Sequence, residues 1–415
     1  MLQPVPVAHK SLADYTHLVG RPLVEEIREL ASELEGLKVL HLSATAFGGG
    51  VAEILYTLVP LMSDVGIDVE WQVMLGREEF YNVTKQLHNA LQGDPHDLTP
   101  EQWQVYAKYN ELNSRELDGD WDVIVVHDPQ PAAVREHVPE RSKRWIWRCH
   151  IDLSTPNPTA IERIAPLAAG YDDALFHMER YVPHDLIDAA SRDGGPAIHI
   201  VPPAIDPLSP KNMRLSPEDA AFVCDQFGID VDRPLICQVS RFDPWKDPIG
   251  VIDAYRIVHE RRPEVQLALV GSMATDDPEG WDFFNQTIAH ANGDPDIHIL
   301  NNFNNVGAIE VNAFQSQADV LIQKSTREGF GLTVSEALWK SRPFIGGDVG
   351  GIPLQVRDGE TGYLVSTPME CAERSLAILD DPELGQRLGR AGKELVRTHF
   401  LTPRLLRDWL RIFST

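Results

Sequence analysis

Basic residues are scarce in this chain: 37 Lys and Arg stand against 62 Asp and Glu over 415 residues, a formal charge of −25. A field of that sign repels nucleic-acid phosphates and anionic lipid heads, so neither nucleic acid nor membrane is expected as a partner. Cysteine is scarcer still. Cys149, Cys224, Cys237 and Cys371 form no C-x-x-C pair and no zinc spacing, which argues against a disulfide framework and a structural metal and suits a reducing cytoplasm. No stretch approaches the ~20 apolar residues that a membrane span needs. The segment MLQPVPVAHKSLADYTHLVG also lacks the apolar run of an export signal. Internal repeats and low-complexity tracts are missing, which removes repeat architectures.

What is present is an ordinary globular composition, 43% hydrophobic and 24% charged, long enough for two domains at roughly 100 to 200 residues each. Short apolar runs alternate with amphipathic stretches: KVLHLSA, DVEWQVML, DVIVVHD, RWIWRCH, DALFHM and AIHIVPPAI, then PLICQVSRF, VQLALVGS, DIHILN, DVLIQKS and PFIGGD. This is βαβ rhythm, and it predicts an α/β fold of two Rossmann-like domains whose parallel sheets face a cleft. The proline-rich IDPLSPKNMRLSP reads as the linker, giving residues 1–210, 211–395 and a C-terminal segment 396–415. Within that last segment LTPRLLRDWLRIF has the spacing of a helix with one apolar face, which can pack back on the N-terminal domain.

In such sheets ligands bind beyond the carboxyl ends of the strands, so chemistry is sought there. An anionic ligand must be held by local cations and backbone N–H groups working against the overall field. Phe47-Gly48-Gly49-Gly50 follows the first strand and opens a helix, letting backbone approach a ligand; it is neither a dinucleotide fingerprint nor a Walker loop. Arg241 and Lys246 lie five residues apart in SRFDPWKDP. At an effective dielectric near 20, a cation about 4 Å from a phosphate gains about 4 kcal/mol before desolvation, enough to hold one diphosphate. The plain alternative is a pair of solvated surface charges. Asp247-Pro248 reads as a helix N-cap with proline at the first position.

In REGFGLTVSE, Glu328 and Glu336 bracket Gly329, Phe330 and Gly331, with a helix starting near Leu332. Free N–H groups at that terminus suit phosphate, while a carboxylate accepts bonds from neighbouring sugar hydroxyls. Glu336 could equally be an acidic residue favoured by the helix dipole. His127-Asp128-Pro129 and Cys149-His150-Ile151-Asp152 end successive strands, and both turns also read as helix caps. A lone histidine at either place is most simply a hydrogen-bonded rim residue. Asp276-Asp277 reads as the cap of a helix from Pro278, and no metal spacing is found.

The motifs FGGGVAE, SRFDPWK and EGFGLTVSE resemble the retaining nucleotide-sugar glycosyltransferases of GT-B fold, which include glycogen synthase. More narrowly, VHDPQPAA, WRCHIDLSTPNP, SRFDPWKD, DDPEGW and REGFGLTVSEA resemble the trehalose glycosyltransferring synthases over nearly the whole chain, with fungal trehalose phosphorylases sharing related motifs. The resemblance implies a retaining glucosyltransferase making α,α-trehalose from nucleotide-diphosphate glucose and free glucose, without a required cofactor and without a demand for metal, magnesium not being indicated. It implies that Arg241 and Lys246 hold the donor diphosphate, Glu336 the ribose hydroxyls and Glu328 the transferred glucose. Gly49 and Gly50 would approach the phosphate, with backbone from Gly329, Phe330, Gly331 and Leu332 assisting. His150 would sit beside the donor sugar, and His127 and Asp128 on the acceptor side. One departure is Asp247, where many members carry glycine after the lysine, which leaves the path of that loop open. The stretch 301–306, expected near the nucleotide base, carries no base code. A phosphorylase using glucose 1-phosphate and a non-catalytic nucleotide-sugar sensor remain as alternatives, and a homodimer stays open.

Overall fold

Strands form where β-branched and aromatic residues run without polar interruption, and helices where apolar positions recur every three to four residues. The computed structural model describes residues 2–273 and 278–415; the expected cap at Asp276-Asp277 lies outside them. Contacts divide the chain into two units, Met1–Ala204 together with Thr402–Thr415, and Ile205–Leu401.

In the first unit the strands are β1 (Gln3–Pro4), β2 (Lys38–Ser43), β3 (Asp68–Val73), β4 (Trp121–His127), β5 (Ser142–Arg148), β6 (Asp173–Phe176) and β7 (Ala197–Ile200), in the spatial order β1-β3-β2-β4-β5-β6-β7. All neighbours pair in parallel except β1, which runs antiparallel along the edge at β3. The parallel sheets expected from the sequence are present, with β1 an added antiparallel edge that no pattern marks: two residues with a proline carry no periodicity to read. In the second unit β8 (Leu235–Val239), β9 (Gln266–Gly271), β10 (Ile297–Asn301), β11 (Val320–Gln323), β12 (Phe344–Gly347) and β13 (Tyr363–Val365) take the order β10-β9-β8-β11-β12-β13, all parallel. That is the doubly wound order, with its reversal between β8 and β11; the first sheet reverses in the same way between β2 and β4. Crevices for ligands open at such reversals.

Parallel strands are covered on both faces, which explains why β4, β9 and β11 read as largely apolar runs. The helix Thr402–Phe413 carries the chain back onto the first unit, against the helices Arg21–Ser32 and Gly50–Asp64. Its Arg404 is buried and donates to the carbonyls of Pro202 (2.8 Å) and Pro203 (2.9 Å), while Arg144 donates to the Ile412 carbonyl at 2.7 Å. Trp409 is 2% exposed and meets the His41 ring edge-on at 5.8 Å.

This helix is therefore core rather than appendage. Trp409→Ala should cost about 3–5 kcal/mol, read as a lower urea midpoint with unchanged slope for the transition of its unit. An unmoved midpoint would show that the helix adds nothing to that core.

Candidate active site

At the carboxyl end of β8 the chain passes Arg241 and enters a tight turn, Pro244–Lys246, capped by Asp243, which accepts the Lys246 N–H at 3.0 Å. Asp247 follows in the left-handed region, φ 49° and ψ 50°. Glycine adopts that conformation freely, whereas aspartate needs compensation. Here the carboxylate supplies it by capping the helix Pro248–Arg261 through the Gly250 N–H (3.0 Å) and by pairing with the buried Lys324. The loop thus keeps a glycine-like path without glycine. Its neighbour, the loop after β11, is tied to it by Thr326 N–H donating to the Trp245 carbonyl at 2.8 Å. That bond sets Lys246 Nζ 2.6 Å from Glu328 Oε2, which also accepts Ser325 Oγ and Gln323 Nε2 at 3.4 Å each.

The sequence reading brings cations together here; the structure also gives each one a carboxylate. Arg241, with 65% of its side chain exposed, lies 3.1 Å from Asp243; Lys246 pairs with Glu328 and Lys324 with Asp247. A phosphate arriving there would exchange with these carboxylates instead of meeting bare charge. Lys324, which the sequence reading passes over, is legible only as a lysine closing an apolar strand.

Gly329 and Gly331 leave the helix Leu332–Trp339 to start behind a left-handed Gly331, φ 79°, and its first-turn N–H groups have no partner within the helix. The Phe330 side chain is buried against Phe400, and its carbonyl accepts Gln355 Nε2–H at 2.6 Å. A second glycine run presses on the loop: a Cβ at Gly350 would fall 1.7 Å from the Glu328 carbonyl oxygen, and one at Gly347 2.1 Å from that of Ser325. GGDVGG was the signal for it. Glu336 stands in the second turn of its helix, fully buried, with Lys211 Nζ 3.1 Å from Oε1. Lys211 comes from the linker, where no pattern marks it.

In the first unit, Gly48 and Gly49 hold positive φ, 69° and 89°, before the helix Gly50–Asp64, with Phe47 exposed at the tip. His127, His150 and His177 stand at or just past the ends of β4, β5 and β6, and His41 lies within β2, two residues before its end. His41 Nδ1 lies 2.9 Å from His127 Nε2, His127 Nδ1 2.9 Å from His150 Nε2, and His150 Nδ1 3.5 Å from His177 Nε2. His41, His127 and His177 are buried and His150 is partly exposed. The sequence reading names the middle two; His177 carries the same signal, a histidine following an apolar strand, whereas His41 sits inside its strand and nothing marks it. Asp128 sits at φ 67°, strained for a residue with a side chain. Its Oδ1 accepts the His150 N–H at 2.6 Å and its own carbonyl accepts Trp147 Nε1–H at 3.0 Å. The helix-cap expectation for both turns is thereby corrected: Asp128 bonds a neighbouring strand end, and Asp152 the Ser154 N–H at 2.8 Å within its own turn.

Electrostatically this set is almost uncharged. Burial drives His41 down to about 3 and His127, His150 and His177 well below their usual range, the nearby Arg148 cation adding to it for the last three. Burial pushes the Asp128 carboxyl up to about 7, against the pull of the His150 N–H and the Arg148 charge. The Arg148 guanidinium is committed to the carbonyls of Phe176 (3.1 Å) and Val201 (2.5 Å). Neutral imidazoles and a carboxyl poised near neutrality suit hydroxyl groups. Among the described residues no group of three or more His, Cys, Asp or Glu side chains could hold a metal ion.

A pH dependence follows. Unfolded histidines take up protons near pH 6.5 while these four stay neutral, so stability is present above that pH and lost as pH falls towards 3. Asp128 opposes them with one proton, favouring the folded state below about pH 4 and losing that contribution as pH rises through about 7. The excess of about three protons gives a slope on the order of 4 kcal/mol per pH unit below pH 6. Urea unfolding at pH 7, 6 and 5 measures it; a flat profile would mean that the array is protonated in the folded protein.

Comparison with known proteins places this geometry. Residues 41–183 match the family description "Trehalose synthase, N-terminal domain" and residues 222–395 "Glycosyl transferases group 1". The chain is 56% identical over 419 residues to a trehalose synthase of Rubrobacter xylanophilus, covering all of this chain and 99% of that one. A trehalose phosphorylase of Pleurotus pulmonarius is 28% identical over 444 residues, covering 94% of this chain and 58% of the other. The fold is that of an α,α-trehalose-phosphate synthase from Burkholderia xenovorans, solved with glucose-6-phosphate, at TM-score 0.71 and 15% identity over 91% of this chain and all of that one. With both matched segments carrying the strand-end residues described above, the chain belongs to the trehalose synthase family of GT-B glycosyltransferases.

Proposed function

We propose that the protein is a retaining glucosyltransferase that makes α,α-trehalose from nucleotide-diphosphate glucose and free glucose. Arg241 and Lys246 receive the donor diphosphate, helped by the N–H groups around Gly331 and Leu332 and by the Gly49-Gly50 turn, while Glu328 contacts the transferred glucose. His150 lies beside the donor sugar, and Asp128 with His127 serves the acceptor. As the C1–O bond to the diphosphate breaks, negative charge grows on the leaving oxygen, and cations already aimed there stabilise the transition state more than the ground state. The leaving phosphate takes the proton of the incoming hydroxyl, which bonds to C1 on the same face. No resident cofactor is needed. Glu336 reaches ribose hydroxyls only by exchanging Lys211, its present partner.

The observation that carries this reading is the uncharged strand-end set of the first unit. Its one strong cation, Arg148, is buried and bound to carbonyls, so the set favours an unphosphorylated sugar over a sugar phosphate.

Chromatography of reactions with a panel of glucosyl nucleotides and glucose should show a non-reducing disaccharide. Synthesis from glucose 1-phosphate and glucose, with none from any glucosyl nucleotide, would move the answer to a phosphorylase, and nucleotide binding without turnover to a sensor. The residues separate further. Lys246→Ala should weaken nucleoside diphosphate binding roughly ten- to hundred-fold and slow turnover, whereas Asp128→Ala should spare that affinity and raise the KM for glucose. Glu328→Gln frees Lys246 from its carboxylate, so nucleoside diphosphate should bind several-fold more tightly in calorimetry while turnover falls. Weaker binding by that variant would mean that Lys246 does not face the diphosphate.

A further inference from the structure

Two ion pairs running in opposite senses join the loop after β8 to the loop after β11. Lys246 reaches from the first loop to Glu328 in the second, and Lys324 reaches from the second back to Asp247 in the first. The ladder between the two strands stops at Cys237 and Leu321, short of both loops, so sheet pairing does not set their spacing. Further ties lie at Thr326, whose N–H donates to the Trp245 carbonyl at 2.8 Å, and at Arg327, whose guanidinium lies 5.9 Å from the Trp245 ring centre. Thr326 is exposed and Arg327 and Trp245 are half-buried, so water competes with both ties.

The two pairs have different duties. Lys246 and Glu328 are the residues proposed above for the diphosphate and the transferred glucose, so their pair must part when the donor arrives. Lys324 and Asp247 are assigned to no ligand. The Lys324 side chain is 5% exposed, and both oxygens of its partner are engaged: Asp247 Oδ1 accepts the Gly250 N–H at 3.0 Å while Oδ2 meets Lys324 Nζ. The carboxylate folds so closely over the start of its helix that a Cβ at Gly250 would fall 2.3 Å from Oδ2. Parting this second pair would leave a buried ammonium without its carboxylate, which keeps it closed.

We propose that Asp247 and Lys324 are positioning residues: their pair is the strut that keeps the two loops at a fixed spacing while Lys246 and Glu328 part to receive the donor. What Lys246 and Glu328 receive rests on the proposed function; the strut rests on the geometry of the loops. It gives the strained backbone of Asp247 a purpose. Glycine at this position would relieve the strain but leave Lys324 buried without its counterion, and the loops would lose the tie that ligand binding leaves intact.

Amide hydrogen exchange of the ligand-free, full-length protein tests it, read at Thr326, whose bond to Trp245 spans the loops. Glu328→Gln opens only the first pair and should leave the Thr326 rate within about two-fold of the unsubstituted protein. Lys324→Met removes the second and should raise the rate about ten-fold, and Lys324→Arg, which keeps a cation, should restore protection. Equal rates in Glu328→Gln and Lys324→Met overturn the strut. Asp247→Gly with Lys324→Met removes both charges together and should recover the urea midpoint lost by Asp247→Gly alone, yet leave kcat about ten-fold down through misplacement of Lys246. A double variant with full turnover and full nucleoside diphosphate affinity would make the pair a fold contact and overturn the proposal. In calorimetry, the gain in nucleoside diphosphate affinity expected of Glu328→Gln should become a loss when the double substitution is added. Should the exchange rates agree while no nucleoside diphosphate binds the unsubstituted protein, the strut stands and the functional reading fails.

Discussion

Parallel pairing buries both faces of the strands in each unit, and this confines polar chemistry to the places where strands stop. Along β4 and β11 the side chains are spent on core packing; the first residues able to meet a ligand are those at or just past the last ladder bond, His127 with Asp128 and the loop that holds Glu328. The reversal in strand order decides which ends diverge enough to leave room. In the first sheet it lies between β2 and β4, flanked by the glycine turn and Asp128; in the second between β8 and β11, flanked by Lys246 and Glu328.

The two units solve opposite electrostatic problems with that same scaffold. The second holds Arg241, Lys246 and Lys324 in a chain whose net charge is −25, each beside a carboxylate, Asp243, Glu328 and Asp247 in turn. The pairs keep these side chains oriented, and an anion arriving there would have to exchange with a carboxylate. The histidine array of the first unit avoids charge. Burial keeps His41, His127, His150 and His177 neutral and pushes the Asp128 carboxyl up to about 7, which leaves hydrogen-bond donors and acceptors with little charge among them.

Strain is stored at both. Asp128 and Asp247 each take a backbone conformation that glycine favours, and each is held by bonds from its own carboxylate: Asp128 to the His150 N–H, Asp247 to the Gly250 N–H and Lys324. Replacing either by glycine would relieve the backbone and lose the bond, so the aspartates are there for what their side chains hold.

The sequence by itself determined the α/β class, the succession of nearly all the strands along the chain, the cap at Asp247-Pro248 and the strand-end positions of Arg241, Lys246, Glu328, His127, Asp128 and His150, because periodicity and turn chemistry are local properties of a chain. It could not show β1 and β13, too short to carry a period, or that the linker's Lys211 covers Glu336. Nor could it show that His41 and His177 complete the array with His127 and His150. Those facts join residues as much as 136 positions apart. Only the tertiary structure, by laying β2, β4, β5 and β6 side by side and folding the linker onto the second unit, brought them within hydrogen-bond distance.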